Sequence, residues 1–413
     1  MISRALAKSK LHGLDPGASV TLISAGKMAA SMTEVFLKNW RGEIRDGLVA
    51  APVGELLDRR LQFFRVGHPV PTQVSVNAGQ RALELARDKG PSSVLVLLLS
   101  GGASASLSVP VEGVTLESKI QATRALLRGG VSIHDINCVR KHLSRIKGGW
   151  LAASTAARTF TFAVSDVVGP VEDDPAVIGS GPTTGDPTYF EDALRIVNRT
   201  EVRPHFPLSA REVLERGRDG YGAETPKPGD PRLSSSSVEI VGSRHDLVGA
   251  AASKAMNLGF DTTIIGSPVI GEARQTAPSH LKRVVEAASK LGRPACVMST
   301  GETTVTVEGR GRGGRNQEFG LALVDRLAVL NEDVVVASVA TDGVDGPTEA
   351  AGAIVDGTTL ARSRELDLGT PRSYLDRNDS FTFFQALGDI LITGPTGTNV
   401  GDLQVFILPG SSC

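Results

Sequence analysis

Val94-Leu95-Val96-Leu97-Leu98-Leu99 is an unbroken apolar run that stops at Ser100-Gly101-Gly102. A strand that faces water on one side alternates apolar with polar residues, so a run like this one describes a strand covered on both faces. Val20 to Ser24, Leu48 to Ala51, Phe63 to Val66 and Thr159 to Val164 are further short runs ending in small or polar residues. Between the runs lie longer stretches, Ser75 to Lys89 and Leu116 to Arg128. The first places Ala78, Ala82, Leu85 and Ala86 at helical spacing. Strand and helix in alternation predict an α/β fold with a mainly parallel sheet and helices on both faces. Ligands then belong at the C-terminal ends of the strands.

At 413 residues the chain is long for one hydrophobic core, and two domains are expected. The alternation lapses between Arg216 and Ser237, where Thr225-Pro226-Lys227-Pro228-Gly229-Asp230-Pro231 and Ser234 to Ser237 read as a boundary. Domains of 1–232 and 233–413 follow. The second carries strand candidates Val238 to Val241, Thr262 to Ile265, Ala295 to Ser299, Val305 to Val307, Val334 to Ala340, Ile390 to Ile392 and Gln404 to Leu408. Its helical patterns sit around Asp246 to Asn257, Leu281 to Leu291 and Asn316 to Leu330.

A net charge of −1 gives no global attraction for nucleic acid or an anionic membrane, so any anion site must be local. Val94 to Leu99, the longest apolar run, is far too short to cross a bilayer. Arg4, Lys8 and Lys10 precede the first acid, Asp15, and fit a frayed or helical terminus better than a transit peptide. Cys138, Cys296 and Cys413 are too widely spaced for a disulfide framework or a metal cluster, which predicts a reducing, cytoplasmic setting.

Several stretches are suited to anions. Gly309 to Arg315 packs three arginines and four glycines into seven residues, directly before the apolar run Phe319 to Val324 that begins a predicted helix. Such a loop can turn several backbone N–H groups toward one spot while an arginine forks onto phosphate or carboxylate oxygens. A solvated basic hairpin is the alternative. Ser24-Ala25-Gly26-Lys27-Met28-Ala29 is a degenerate glycine fingerprint after the first strand, able to cradle a phosphate with Gly26 and Lys27, or simply a tight turn. A dinucleotide site would also want an acid after the second strand, where Ala50-Ala51-Pro52 stands. Ser100, Gly101, Gly102 and Ser104 form a hydroxyl-rich turn that is neither a Walker A loop nor a hydrolase elbow. Val139 to Gly149 reads as one basic helix with a glycine stop, placing Lys141 and Arg145 on one face for a polyphosphate, or merely solvated. Asp166, Asp342 and Asp345 follow strand candidates. They suit Mg²⁺ or proton transfer, and equally suit turn formation.

Ser165-Asp166-Val167-Val168-Gly169, Gly179-Ser180-Gly181-Pro182-Thr183, Gly301-Glu302-Thr303-Thr304, Gly311 to Glu318, Thr341 to Pro347, Asn378-Asp379-Ser380 and Thr393 to Val400 occur in one order along the chain. Together with Val139 to Gly149, they resemble the glycerate 2-kinase family, whose C-terminal part is called MOFRL. The resemblance implies an N-terminal Rossmann-like domain, a C-terminal mixed α/β domain and an active site in the cleft between them. It implies transfer of the ATP γ-phosphoryl group to the 2-hydroxyl of D-glycerate with Mg²⁺, and Lys27 and Arg315 as active-site residues. Their charges suit the transferring phosphoryl group or the glycerate carboxylate. Asp166 is the candidate for orienting or deprotonating the hydroxyl, Glu302 and Asn316 for binding, and Asp342 with Asp345 for the metal. The partners are small molecules; a homodimer is compatible with the sequence, which does not set the oligomeric state.

The chain departs from the family pattern at Ser24 and Ala103, where glycines are usual, and at Pro170 to Asp174, where the link is longer. An alanine in a ligand-binding glycine loop is expected to obstruct the ligand or force a different φ. Two competing functions are a hydroxypyruvate reductase, marked by NAD(P)H oxidation, and a non-catalytic sugar-acid binding protein, marked by binding without turnover.

Overall fold

The structure, a computed structural model, describes residues 19–55, 58–330 and 332–410. Arg4, Lys8, Lys10, Asp15 and Cys413 lie outside the described residues. The chain divides between Gly242 and Ser243 into two compact units.

The N-terminal unit is built on strands β1 (Val20–Ala25), β2 (Ile44–Ala51), β3 (Leu61–Arg65), β4 (Val94–Leu99), β5 (Arg158–Val164) and β6 (Ser236–Gly242). They lie in the order β3-β2-β1-β4-β5-β6, with every neighbouring pair parallel. This is the doubly wound order of a Rossmann-like sheet. Its helices are α1 (Ala29–Asn39), α2 (Gln73–Arg87), α3 (Ala103–Ser106), α4 (Leu116–Arg128), α5 (Ile133–His142), α6 (Trp150–Ala153), α7 (Phe190–Val197) and α8 (Leu208–Arg216). β4 is central, and all six of its residues are buried as its composition requires. Ala78, Ala82, Leu85 and Ala86 of α2 pack into one cluster with Ile23, Leu48, Leu95 and Leu97. α4, α5, α7 and α8 join in a second cluster through Leu126, Ile136, Leu194 and Leu214. Side-chain caps start the two helices that later matter: Thr115 Oγ1 accepts from Ser118 N at α4 and Ser132 Oγ accepts from Asp135 N at α5.

Two expectations are corrected here. Val238 to Val241 does not open the second unit. It lies in β6, which pairs with β5 from Thr159↔Ser236 to Val164↔Gly242. The Pro- and Gly-rich stretch before it is a return connection pinned to its own unit, with Asp186 N donating to Pro226 O (2.8 Å) and Thr225 Oγ1 donating to Asp186 Oδ2 (3.0 Å). Val139 to Gly149 is not one helix. α5 ends at His142 because the chain turns away to bridge Ser144 to Pro110.

The C-terminal unit contains β7 (Asp261–Glu272), β8 (Ala295–Thr304), β9 (Val335–Ala340), β10 (Gly352–Val355), β11 (Ile390–Leu391) and β12 (Asp402–Leu408), ordered β11-β10-β9-β12-β8-β7. β7 and β8 are parallel and the other pairs antiparallel, a mixed sheet as expected. Its helices are α9 (Arg244–Asn257), α10 (Ala273–Ala288), α11 (Arg315–Leu321), α12 (Val324–Leu327), α13 (Thr359–Glu365), α14 (Pro371–Asp376) and α15 (Ser380–Leu387). Phe319, Phe383, Phe384 and Phe406 fill its core. The helix expected over 316–330 is broken into α11 and α12, and Val305 to Val307 lies beyond the end of β8. β10 is too short for its pattern to be legible.

Candidate active site

In the N-terminal sheet the chain leaves β1 toward β2 on one side, and β4 lies on the other. The C-terminal ends of β1 and β4 therefore flank the point where the strand order reverses, the crevice in which such sheets hold ligands. The two loops there are laced together. Lys27 N donates to Gly101 O (2.8 Å), Met28 N to Ser100 Oγ (3.1 Å) and Ser100 N to Ala25 O (3.1 Å). The closeness demands glycine at 26, which has φ +118° and where a Cβ would stand 2.3 Å from Ser100 Oγ. The stem of Lys27 and the ring of His68 both flank Gly102. Asp166 follows the C-terminal end of β5, beside β4, so Lys27, the Ser100 turn and Asp166 leave one edge of three adjacent strands.

The departures from the family pattern are accommodated locally. Ser24 is buried, and its hydroxyl donates to Ala29 O (2.9 Å), tying β1 to the first turn of α1. The expectation that Ala103 would obstruct the loop is corrected. Its methyl points into the core with Leu99, Leu107 and Ile178, and φ is positive at Gly102 instead. The longer link folds back on itself, with Asp173 N donating to Val167 O (3.2 Å) and Ala176 N to Asp174 Oδ1 (2.8 Å). Beyond it, Ser180 Oγ lies 3.0 Å from Ser104 Oγ and donates to Asn137 Oδ1 (3.0 Å). Ser104 is therefore engaged within the loop cluster.

Lys141 and Arg145 are not brought together. Lys141 is buried, with Nζ 3.4 Å from Asp186 Oδ1, whereas Arg145 is exposed past the end of α5. The helix on which they were to share a face ends between them.

In the C-terminal unit, antiparallel pairing aligns Asp402, the first residue of β12, with Gly301 of β8 and Ala340 of β9. Glu302, Asp402 and the Thr341-Asp342 turn therefore share one sheet edge, and Arg315 at the start of α11 reaches it. Arg315 Nη1 donates to Glu302 Oε1 (2.7 Å) and Nη2 to Asp402 Oδ1 (2.9 Å), with Nε 2.7 Å from Asp402 Oδ2. Burial by itself would weaken the guanidinium's hold on its proton. Asp402 and Glu302 more than offset that, leaving it raised. Burial pushes the Asp402 carboxyl up to about 7, even with Arg315 pulling it down. A guanidinium has five N–H donors, so two remain for a ligand on a side chain already held in place.

The glycine-rich loop is held differently from the expectation that its backbone would cradle an external anion. Asn378 Oδ1 accepts from Glu308 N (2.9 Å) and Gly309 N (2.8 Å), and Asp379 Oδ1 accepts from Arg312 N (3.1 Å). Asp345 sits at the start of α11, accepting from Asn316 N (3.0 Å), Gln317 N (2.9 Å), Asn316 Nδ2 (3.3 Å) and Gln317 Nε2 (3.0 Å). The anion at this helix start is thus a carboxylate of the chain itself. Gly314 makes room for it, since a Cβ there would lie 2.3 Å from Asp345 Cγ. Burial raises the Asp345 carboxyl and its four donors oppose this. Asn316, also buried, has Oδ1 accepting from Ser338 Oγ (2.7 Å), which makes it a core brace.

This arrangement corrects the metal pairing. Mg²⁺ needs carboxylate lone pairs directed at it, and those of Asp345 point into N–H groups that would repel a cation. Asp342 Oδ1 accepts from Val344 N (3.1 Å), and among the described residues no group of three or more His, Cys, Asp or Glu is placed to hold a metal ion. Asp402 escaped sequence reasoning, although a lone acid opening an apolar strand straight after the Thr393 to Val400 motif was a usable signal. Nothing local marks Asn378 as the brace of a loop 69 residues earlier.

Two α/β units, one with a lysine-bearing loop at a Rossmann-like switch point and the other with an arginine braced by acids, define a class of anion-handling enzyme. A family described as a domain of unknown function (DUF4147) matches residues 1–215, and the MOFRL family matches residues 295–402. A protein of Pyrococcus horikoshii named glycerate 2-kinase is 36% identical over 94% of this chain and 87% of its own. An Agrobacterium vitis protein bearing a provisional hydroxypyruvate reductase name is 36% identical over 95% of this chain and 88% of that one. The crystal structure of a glycerate kinase from Thermotoga maritima superposes with a TM-score of 0.80 at 35% identity, covering 98% of this chain and 95% of that one. The chain belongs to the glycerate 2-kinase family.

Proposed function

We propose that this chain is a glycerate 2-kinase that moves the γ-phosphoryl group of ATP onto the 2-hydroxyl of D-glycerate. The observation that carries the reading is near-complete coverage by relatives named for this reaction, combined with the laced Lys27 and Ser100 loops at the switch point. The hydroxyl oxygen attacks the γ-phosphorus, the bond to the β-phosphate oxygen breaks, and Asp166 takes the hydroxyl proton. Lys27 has the charge to neutralise the moving phosphoryl group, and Arg315, already braced by Glu302 and Asp402, has donors suited to a phosphoryl group or the glycerate carboxylate. Magnesium arriving with the nucleotide would neutralise phosphate charge. Asp342 is the carboxylate we assign toward it; Asp345, whose oxygens are taken up by the N–H groups at the start of α11, is not. Two buried free thiols, Cys138 and Cys296, support a reducing, cytoplasmic setting. Among the described residues no helix is long and apolar enough to cross a membrane.

Turnover with ATP and D-glycerate, with the product's phosphate position read by phosphorus NMR, tests the proposal. Lys27→Ala and Arg315→Ala are each expected to lower kcat/KM by roughly 10²- to 10³-fold with the fold intact. Absence of ADP formation with every hydroxy acid tried would reject the kinase. The reductase name on one relative supplies the second reading. β2 ends in buried Ala50 and Ala51 where a dinucleotide would want an acid, so no NAD(P)H oxidation with hydroxypyruvate is expected.

A further inference from the structure

The basic run after Val139 serves a place that its spacing did not suggest. Arg140 in the last turn of α5 and Lys147 beyond it line a cavity of about 320 Å³ in the N-terminal unit, joined by Lys119 of α4 and by Gly102, Ser104 and Ser108. Among the described residues no Asp or Glu lines it. Lys119 is buried, and its Nζ donates to Leu143 O (3.3 Å). Lys147, 2% exposed, donates from Nζ to Ser104 O (2.7 Å) and Leu107 O (3.1 Å). Arg140 has no hydrogen-bond or ion-pair partner among the described residues; its guanidinium feels only burial. The hydroxyl of fully buried Ser108 likewise has no partner.

Two buried lysines beside the half-buried Arg140, with no Asp or Glu among the described residues lining the cavity, are costly to keep charged. The strain registers in each of them. Burial, with Arg140 nearby, lowers Lys119 to about 7, and burial with both neighbours takes Lys147 well below its ordinary value. An anion in the cavity would restore the balance. The unspent donors are the five of Arg140, two on Lys119, one on Lys147 and the Ser108 hydroxyl. Arg124, exposed at the wall, adds a fourth cation, so a monocarboxylate such as glycerate would leave three of them unneutralised, whereas a di- or triphosphate offsets most of the set.

We infer that this cavity binds a phosphate chain, the di- or triphosphate of the nucleotide, on Arg140, Lys119 and Lys147, with the organic part of the ligand against Pro69, Val70, Ile120 and Leu127. Gly102 lines the cavity and is flanked by Lys27, so the end of the chain comes to the lysine assigned to the transfer. The nucleotide rests on the kinase reading above; the phosphate chain does not.

Calorimetry on the full chain with ADP, inorganic tripolyphosphate and D-glycerate, beside urea denaturation, tests this with Arg140→Met and Lys119→Met. Without ligand both variants should be as stable as the parent or more so, because Lys119→Met removes an unneutralised buried charge and Arg140→Met a half-buried one beside it. Both should bind ADP and tripolyphosphate 10- to 100-fold more weakly, and glycerate as before. If Arg140→Met does not fold, Lys119→Met carries the same comparison. Folded variants that bind both polyphosphates like the parent overturn the inference. ADP binding tenfold tighter than tripolyphosphate supports the apolar wall as the seat of the base; equal binding supports the phosphate chain and removes the nucleotide. Unchanged ADP binding in the variants of an active kinase rejects the cavity alone. Weakened polyphosphate binding in a chain that turns over no hydroxy acid rejects the kinase alone.

Discussion

Asp345 occupies the position at the start of α11 that a bound phosphate takes at other helix starts. Its two oxygens accept two backbone and two side-chain N–H groups, all buried. Removing the carboxylate leaves those donors without partners in a place water cannot reach. Asp345→Ala should therefore lower unfolding free energy by about 2–4 kcal/mol in urea denaturation, while Asp345→Asn, which keeps one acceptor, loses less. Parent-like stability of the alanine variant would return Asp345 to the list of metal candidates. As a letter in Thr341-Asp342-Gly343-Val344-Asp345, this residue is indistinguishable from a ligand. Its role depends on Asn316 and Gln317, 29 and 28 positions away. Arg315 was easier to read because a charged fork among glycines has few uses, although Asp402, which braces it, lies 87 positions on.

The last turn of α5 puts three neighbouring basic residues into three different surroundings. Arg140 lines the cavity, Lys141 pairs with Asp186, and His142 is sealed between Cys138 and Glu224. Both ring nitrogens of His142 face oxygens, Nδ1 at 2.8 Å from Cys138 O and Nε2 at 3.2 Å from Glu224 Oε2. Asp186 lies 4.0 Å away, and Lys141 and Lys227 stand behind the two acids. Burial alone would lower the imidazole, but these hydrogen bonds and the Asp186 charge together hold it up at about 9. A base raised above its unfolded value of about 6.5 contributes its full stability below that pH and loses it as pH rises through about 9. Unfolding free energy should fall by roughly 2 kcal/mol between pH 6.5 and 10, allowing for the partly exposed Glu224, and His142→Gln should flatten that slope. An unchanged slope in the variant would place the titration elsewhere. Helical periodicity could locate α5, yet it could not tell where the helix stops, because the turn after it is made by a bridge to Pro110.

For the whole molecule, the assignment of β6 to the N-terminal sheet sets where the chain can be cut. A fragment of residues 1–242 keeps β5 covered on both edges, whereas one of residues 1–232 lacks β6 and strips the pairing from Thr159 to Val164. The longer fragment should unfold cooperatively, and the shorter one should be less stable by about 3 kcal/mol or more in urea denaturation. Equal stability would mean that the edge strand contributes little. Two α/β units, the parallel first sheet, the buried β4 and the Lys27 and Ser100 loops were all legible in the chain, because period and composition act over a few residues and a parallel sheet fixes which strand ends carry ligands. Tertiary structure alone decided that β6 returns to the first sheet and that Ala103 turns inward. It also decided that Asp345 serves a helix, and that Lys119, Arg140 and Lys147 share a cavity that no Asp or Glu among the described residues lines. Each depends on which distant groups surround a residue in a dry interior, where the partner determines whether a charge is structural or free to bind.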